Sequence, residues 1–183
     1  KQSVHLMKKE TYERITAPFR TNPKLAQTIN IINKAITYVI YVAYPLLLIW
    51  LFLTEVNQGP IVDFMNNGLF VRALAVPLVS FILLSVLRKA IDAKRPYEVF
   101  GLDPIIPKKT KGKSFPSRHV FSIFVIGMTF LAVLKSPVFG IVILIMGVFL
   151  AIIRVVSGVH FPRDVIAGMI LGILSGVIGF YLL

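Results

Sequence analysis

Residues that could do chemistry stand beside the apolar runs of this sequence. They are Arg88, Arg95, the run Ser117-Arg118-His119, Arg154, His160 and Asp164. Guanidinium groups present fork-shaped pairs of donors that match the oxygens of a phosphate group. The Ser117 hydroxyl and the backbone N–H groups of a helix that starts beside it add donors where the helix dipole favours an anion. These residue types therefore predict recognition of a tetrahedral oxyanion.

The two histidines have separable tasks in phosphoryl transfer. One imidazole can attack phosphorus while the other protonates the departing oxygen. Asp164 follows His160 by four residues, near enough to accept a ring N–H and to present the other ring nitrogen for attack. The sequence has no cluster of carboxylates of the kind that holds magnesium, so arginines must stabilise the developing charge. The pattern predicts phosphoryl transfer through a phosphohistidine, with no metal and no cofactor.

The three groups of residues resemble the signature motifs of the type 2 phosphatidic-acid phosphatase family, the membrane lipid phosphate phosphatases, which share their site with vanadium haloperoxidases. The motifs here are Arg88-x6-Arg95-Pro96, Pro116-Ser117-Arg118-His119 and Arg154-x5-His160-x3-Asp164. The resemblance implies that His160 is the nucleophile, Asp164 its orienting partner and His119 the general acid. It also implies that phosphoryl oxygens bind to the remaining residues, Arg88, Arg95, Ser117 and Arg154.

Three positions depart from the family pattern. The first motif has Arg88 where the family has lysine, which keeps the charge and changes the geometry. The second has Arg118 where the family has glycine, so that Arg118 itself becomes a candidate phosphate ligand. The third has Ile153 where the family has serine, which predicts the loss of a supporting hydrogen bond.

Five apolar runs must position these residues. They cover residues 35–53, 69–87, 120–134, 136–153 and 165–183. Hydrophobic residues make up 56% of the 183 residues and the mean hydropathy is +0.81, whereas soluble domains are roughly 45–50% apolar. A spanning helix needs about 20 apolar residues, so the runs predict an all-α, polytopic membrane helix bundle of about five transmembrane helices. Adjacent helices alternate in direction, which brings the ends of helices two to five together as one phosphate pocket.

The charges are distributed on one side of this bundle. The net charge is +12, and 18 of the 20 Lys and Arg residues fall in the segments 1–34, 88–118 and 154–164, which share a side. The positive-inside rule places that side in the cytoplasm. We therefore expect a multi-pass protein of a bacterial plasma membrane with its pocket at the cytoplasmic face. Undecaprenyl diphosphate phosphatases of the resembling family usually act on the outer face, which is the opposite expectation.

Two further features concern the organisation of the chain. Residues 1–34 form a basic, partly amphipathic segment, and residues 35–183 form the predicted transmembrane phosphatase domain. Gly168, Gly172 and Gly176 recur every four residues, which predicts a face for helix packing within the chain.

The predicted activity is hydrolysis of a phosphomonoester or diphosphate on a lipid. The resemblance offers undecaprenyl diphosphate, phosphatidylglycerol phosphate and phosphatidic acid as substrate types. The expected partners are this lipid and the bilayer; nucleic acid is not expected, and the oligomeric state is left open. Two alternatives are a non-catalytic lipid-binding membrane protein and a vanadate-dependent haloperoxidase, whose relatives are soluble.

Overall fold

A computed structural model describes residues 7–56 and 68–182, and every regular element within them is helical. In chain order the helices are α1 (Lys9–Thr21), α2 (Pro23–Glu55), α3 (Leu69–Ile91), α4 (Pro96–Phe100), α5 (Arg118–Val133), α6 (Val138–Val156) and α7 (Pro162–Val177), and a π-helical turn over Ile178–Leu182 continues α7. The predicted all-α fold is confirmed.

Four stretches of helix are long and apolar enough to cross a membrane. They are Pro23–Glu55, Leu69–Phe100, Val138–Val156 and Pro162–Leu182. Large apolar side chains face outward from them, such as Tyr38 on α2 and Leu83 on α3, which are 66% and 65% exposed. Exposed apolar surface on this scale fits a bilayer as its solvent. The chain is a multi-pass membrane protein, as predicted.

The third predicted span, residues 120–134, corresponds to α5, which is shorter than the other four. Its 16 residues extend about 24 Å at 1.5 Å per residue, less than the roughly 30 Å of a hydrocarbon core. Most of its side chains are buried, and it packs against α3, α6 and α7. Because protein surrounds α5, its length need not match the bilayer.

The glycine face of α7 packs against α5, so the prediction of packing within the chain is confirmed. A Cβ atom on Gly168 would lie 2.6 Å from the Ser117 carbonyl oxygen, and one on Gly172 would lie 2.8 Å from that of Phe121. The two backbones can approach this closely because glycine has no side chain. The backbone N–H of Ser117 also donates to the Asp164 carbonyl (2.8 Å). The first turns of α5 and α7 are therefore held together.

The N-terminal helix α1 packs on the same end of the bundle. Tyr12 is buried, with its ring 5.0 Å from that of Phe100 and its hydroxyl donating to the Gly158 carbonyl (3.4 Å). Residues 1–6 of the basic segment lie outside the described residues. The predicted division at residue 34 falls within α2, which begins at Pro23; as a division of the chain into units it stays a prediction.

Candidate active site

The motif residues converge at the end of the bundle where α3 and α6 end and α5 and α7 begin. A cavity of about 410 Å³ lies between these helix ends. Its lining includes Arg88, Arg95, Lys108, Arg118, His119 and His160. A cationic cavity thus lies where the phosphate pocket was predicted.

His160 is held by two groups behind the cavity wall. Its Nδ1 lies 3.5 Å from Oδ2 of Asp164 and 3.4 Å from the Ser114 hydroxyl. Oδ2 of Asp164 accepts hydrogen bonds from that hydroxyl and from the backbone N–H of Phe161 (3.0 Å). All three polar side chains are buried. This arrangement fixes the ring of His160 with Nδ1 towards the carboxylate.

The protonation state of His160 follows from its burial. His160 is 1% exposed, and desolvation lowers its pKa to about 4, although the hydrogen bond to Asp164 acts in the opposite direction. The ring is therefore neutral near pH 7. With a proton on Nδ1 facing Asp164, the lone pair is on Nε2, which lies 3.5 Å from Nη1 of Arg95. A neutral imidazole in this tautomer has its lone-pair nitrogen beside Arg95, which also lines the cavity.

Arg88 and Arg95 hold the segment that leads into α5. Arg88 donates to the backbone carbonyls of Lys113 and Pro116. Arg95 donates through Nε to the carbonyl of Gly112 (3.0 Å) and through Nη1 to that of Val159 (3.1 Å). Both guanidiniums line the cavity and position its walls. Phosphate binding by these two arginines stays a prediction.

Arg154 is 3% exposed at the C-terminal end of α6, and within residues 7–56 and 68–182 its buried Nε has no hydrogen-bond partner. Its side chain lines an adjoining cavity of about 270 Å³ together with Lys108 and His119. The Arg154 carbonyl accepts from the backbone N–H of His160 (3.1 Å). Gly158, with φ of +75°, permits the tight turn between the two. An unpaired buried guanidinium N–H is costly, and an oxyanion would satisfy it.

The start of α5 carries the second motif. Ser117 is fully buried, and its hydroxyl lacks a hydrogen-bond partner among the described residues. Arg118 is exposed, and its guanidinium lies 5.5 Å from the ring centroid of Phe81. His119 is half-buried and lines both the main and the adjoining cavity. Ile153, where the family has serine, is buried in the apolar core.

Sequence reasoning did not assign three residues to this site. Ser114 bonds the carboxylate of Asp164, and its signal in the sequence was a serine immediately before the Phe-Pro-Ser run. Glu98 accepts from the backbone N–H groups of Arg95 and Gly112, at 2.9 Å each, and so ties α4 to the loop. Lys108 lines both cavities. It belongs to a basic run at residues 108–113, for which the sequence favours a solvated loop over a role in guiding an anionic headgroup or a diphosphate.

Comparison with known proteins decides the family. A family model described as the PAP2 superfamily matches residues 69–183. The chain belongs to the PAP2 superfamily. PAP2 abbreviates the type 2 phosphatidic-acid phosphatase family, so the motif-based resemblance to membrane lipid phosphate phosphatases is confirmed at the level of the family.

This PAP2 protein is also similar to a curated protein. It is 33% identical over 108 residues to the bacitracin transport permease protein BcrC of Bacillus licheniformis, an alignment that covers 57% of this chain and 52% of that protein. The match thus spans about half the length of this relative.

Two solved structures share the PAP2 fold described above. LpxE of Aquifex aeolicus superimposes with a TM-score of 0.67 at 21% identity, over 93% of this chain and 92% of that one. A PAP2-type phosphatidylglycerolphosphate phosphatase from Bacillus subtilis gives 0.65 at 21% identity, over 93% and 83%. At this identity the likeness supports the fold.

Proposed function

We propose that this PAP2 protein hydrolyses a phosphomonoester or diphosphate of a membrane lipid through a phosphohistidine on His160. The observation that carries the proposal is the buried, neutral His160, with Asp164 on one ring nitrogen and a cationic cavity on the other. A neutral imidazole beside several guanidiniums suits attack on an anionic phosphorus centre.

The proposed reaction has two steps. In the first, Nε2 of His160 attacks phosphorus, the bond from phosphorus to the lipid oxygen breaks, and His119 protonates that oxygen. In the second, His119 removes a proton from water, whose oxygen attacks the phosphohistidine and releases inorganic phosphate. Asp164 stabilises the positive charge that the His160 ring carries while phosphorylated.

The proposed phosphoryl ligands are the donors around the cavity. Arg154 and Ser117 are buried, and in the part of the chain that the structure describes each has a donor group without a hydrogen-bond partner, which an oxyanion would pair. Arg118 at the first turn of α5 adds an exposed guanidinium. Arg88 and Arg95 both shape the walls through backbone carbonyls and contribute positive charge, which stabilises the three equatorial oxygens in the transition state.

The lipid tail has a place in this proposal. An apolar groove of about 280 Å³ begins at His119 and is also lined by Ile40 of α2, Phe81 of α3 and Ser122 of α5. A further cavity of about 210 Å³ shares Phe81 and Ser122 with it and extends to Val125. A hydrocarbon chain in this path would keep its phosphate at the site while its tail lies in the bilayer. This favours substrates of the undecaprenyl diphosphate, phosphatidylglycerol phosphate or phosphatidic acid type.

The orientation in a bacterial plasma membrane is also a proposal. The charge asymmetry favours a cytoplasmic site, but the cations that line the cavity would lie on this face in either orientation. An introduced cysteine at Lys111, an exposed position of the loop before α5, separates the two orientations. Slow labelling by an impermeant thiol reagent in intact cells supports the cytoplasmic face, and rapid labelling contradicts it.

Phosphate release by the purified protein tests the proposed function. The substrates are lipid monoesters and diphosphates in detergent micelles, with EDTA present. The described residues contain no group of three or more His, Asp or Glu that could hold a metal, so we expect turnover in EDTA. Turnover of none of these lipids would favour the non-catalytic alternative, and vanadate-dependent bromide oxidation would favour the haloperoxidase.

A further inference from the structure

Lys108 is a cavity cation that the proposed reaction steps leave unused. It lies in the irregular segment between α4 and α5, where the backbone N–H of Ile105 donates to the Ser157 carbonyl (2.9 Å). The next side chain, Ile106, is buried in the apolar core. These two anchors fix the backbone of Lys108 relative to the turn that carries His160.

The side chain of Lys108 faces the site. It is half-buried, whereas its neighbour Lys109 is exposed. Lys108 lines the main cavity with His160 and the adjoining cavity with His119 and Arg154. Across the described ranges, 7–56 and 68–182, no hydrogen bond or ion pair engages its ammonium. The ammonium is therefore a free donor that shares cavities with both the proposed nucleophile and the proposed acid.

The surroundings of Lys108 are strongly positive. Burial lowers the pKa of Lys108 to about 8, as do the charges of its neighbours, Arg95, Arg154, Arg118 and Arg88. Two of these guanidiniums, Arg88 and Arg95, already donate to backbone carbonyls. Cations gathered at this density repel one another unless an anion lies between them. The cluster suits a ligand that carries more negative charge than one phosphoryl group.

We propose that Lys108 is a specificity-determining residue whose ammonium binds a second phosphate group on the leaving-group side of the site. This inference rests on the proposed function. With a lipid diphosphate, His160 attacks the terminal phosphorus, and the bond to the bridging oxygen breaks with its electron pair on that oxygen. The departing group is a lipid monophosphate. His119 protonates its bridging oxygen, and Lys108 neutralises charge on its other oxygens.

The test compares two substrates that differ by one phosphate, farnesyl diphosphate and farnesyl monophosphate, in the same detergent. The variants are Lys108→Ala and Lys108→Arg, with Lys109→Ala as a matched control that removes an adjacent exposed charge. For Lys108→Ala we expect KM for the diphosphate to rise about tenfold, as for the loss of one charge-assisted contact, with little change for the monophosphate. Lys108→Arg should retain the preference, and Lys109→Ala should match the unmodified protein.

Equal losses on both substrates, or no loss on either, would overturn the role of Lys108. A second measurement keeps this inference separate from the proposed function. Calorimetry measures the binding of inorganic diphosphate and of inorganic phosphate, which requires no turnover. Lys108→Ala should weaken the binding of diphosphate more than that of phosphate, and equal weakening contradicts the inference. An unmodified protein that hydrolyses none of the lipid monoesters and diphosphates of the panel described above refutes the proposed function, whichever way the binding data fall.

Discussion

Replacing Ser114 by alanine removes a fully buried hydroxyl that donates to Oδ2 of Asp164. That oxygen then keeps the backbone N–H of Phe161 (3.0 Å) and Nδ1 of His160 (3.5 Å) as partners, while Oδ1 lies 3.5 Å from Nε of Arg163. A hydrogen bond to a charged group contributes about 2 kcal/mol. If the transition state loses this whole stabilisation of about 2 kcal/mol, kcat decreases about 30-fold.

The loss should appear in kcat, with KM nearly unchanged. Ser114 acts through the carboxylate that orients His160, whereas the phosphoryl ligands are left intact. Ser85→Ala is the matched control, because the Ser85 hydroxyl lies at the same cavity but bonds the Phe81 carbonyl of its own helix (2.7 Å). Steady-state phosphate release is measured on variants that first give a cooperative thermal transition in detergent.

Two results would refute this reasoning. A folded Ser114→Ala variant with the kcat of the Ser85→Ala control would mean that Asp164 orients His160 without the hydroxyl. A rise in KM at constant kcat would mean that Ser114 contacts the substrate. In either case the assignment of Ser114 as a positioning residue is wrong.

Two other predictions concern pH and the lipid tail. Because burial lowers the pKa of His160 to about 4 and the neutral ring is the nucleophile, kcat/KM, corrected for titration of the substrate phosphate, should not decline between pH 7 and pH 6 and should fall only as pH approaches 4. An acid limb at pH 6.5 would contradict this. Ser122→Phe, which fills the groove beside His119, should slow turnover of long-chain lipid phosphates at least tenfold and spare p-nitrophenyl phosphate. Met169→Phe, in a separate groove between α6 and α7, is its control; equal effects of the two variants on the long-chain substrates would refute the tail path.

Much of the site could be predicted from the spacing of residues that are close in the sequence. The interval from His160 to Asp164 is short, and a helix start at Pro162 brings the carboxylate within 3.5 Å of the ring whatever the rest of the fold does. The glycines of α7 were also readable, because close backbone approach admits few other residues. Such features depend on residues that are close in the sequence or on a single residue type. Both can be seen in one sequence.

Contacts made through the backbone could not be read in this way. Arg88 and Arg95 donate to carbonyl oxygens of Gly112, Lys113 and Pro116, and because every residue carries a carbonyl, no residue type marks such a partner. The sequence also gave no sign that Lys108 turns inward while Lys109 stays exposed. That difference arises from the anchoring of the preceding backbone on the α6–α7 turn.

The surroundings of α5 were the other feature that the sequence could not predict. Apolar residues at 120–134 are equally compatible with a helix in lipid and with a helix inside protein. Only the packing of the neighbouring helices α3, α6 and α7 distinguishes them, and that depends on contacts far apart in the chain. The basic composition of α1 likewise gave no indication that Tyr12 is buried, with its ring packed against Phe100.

The covalent intermediate on His160 is the central claim, and trapping it tests that claim most directly. Purified protein is mixed with lipid phosphate carrying 32P in the transferred group, quenched within milliseconds in alkali, and digested for mass spectrometry. We predict an acid-labile, alkali-stable label on the peptide that contains His160, and neither label nor turnover in His160→Ala. Full turnover by His160→Ala, or a label on another residue, would contradict the account.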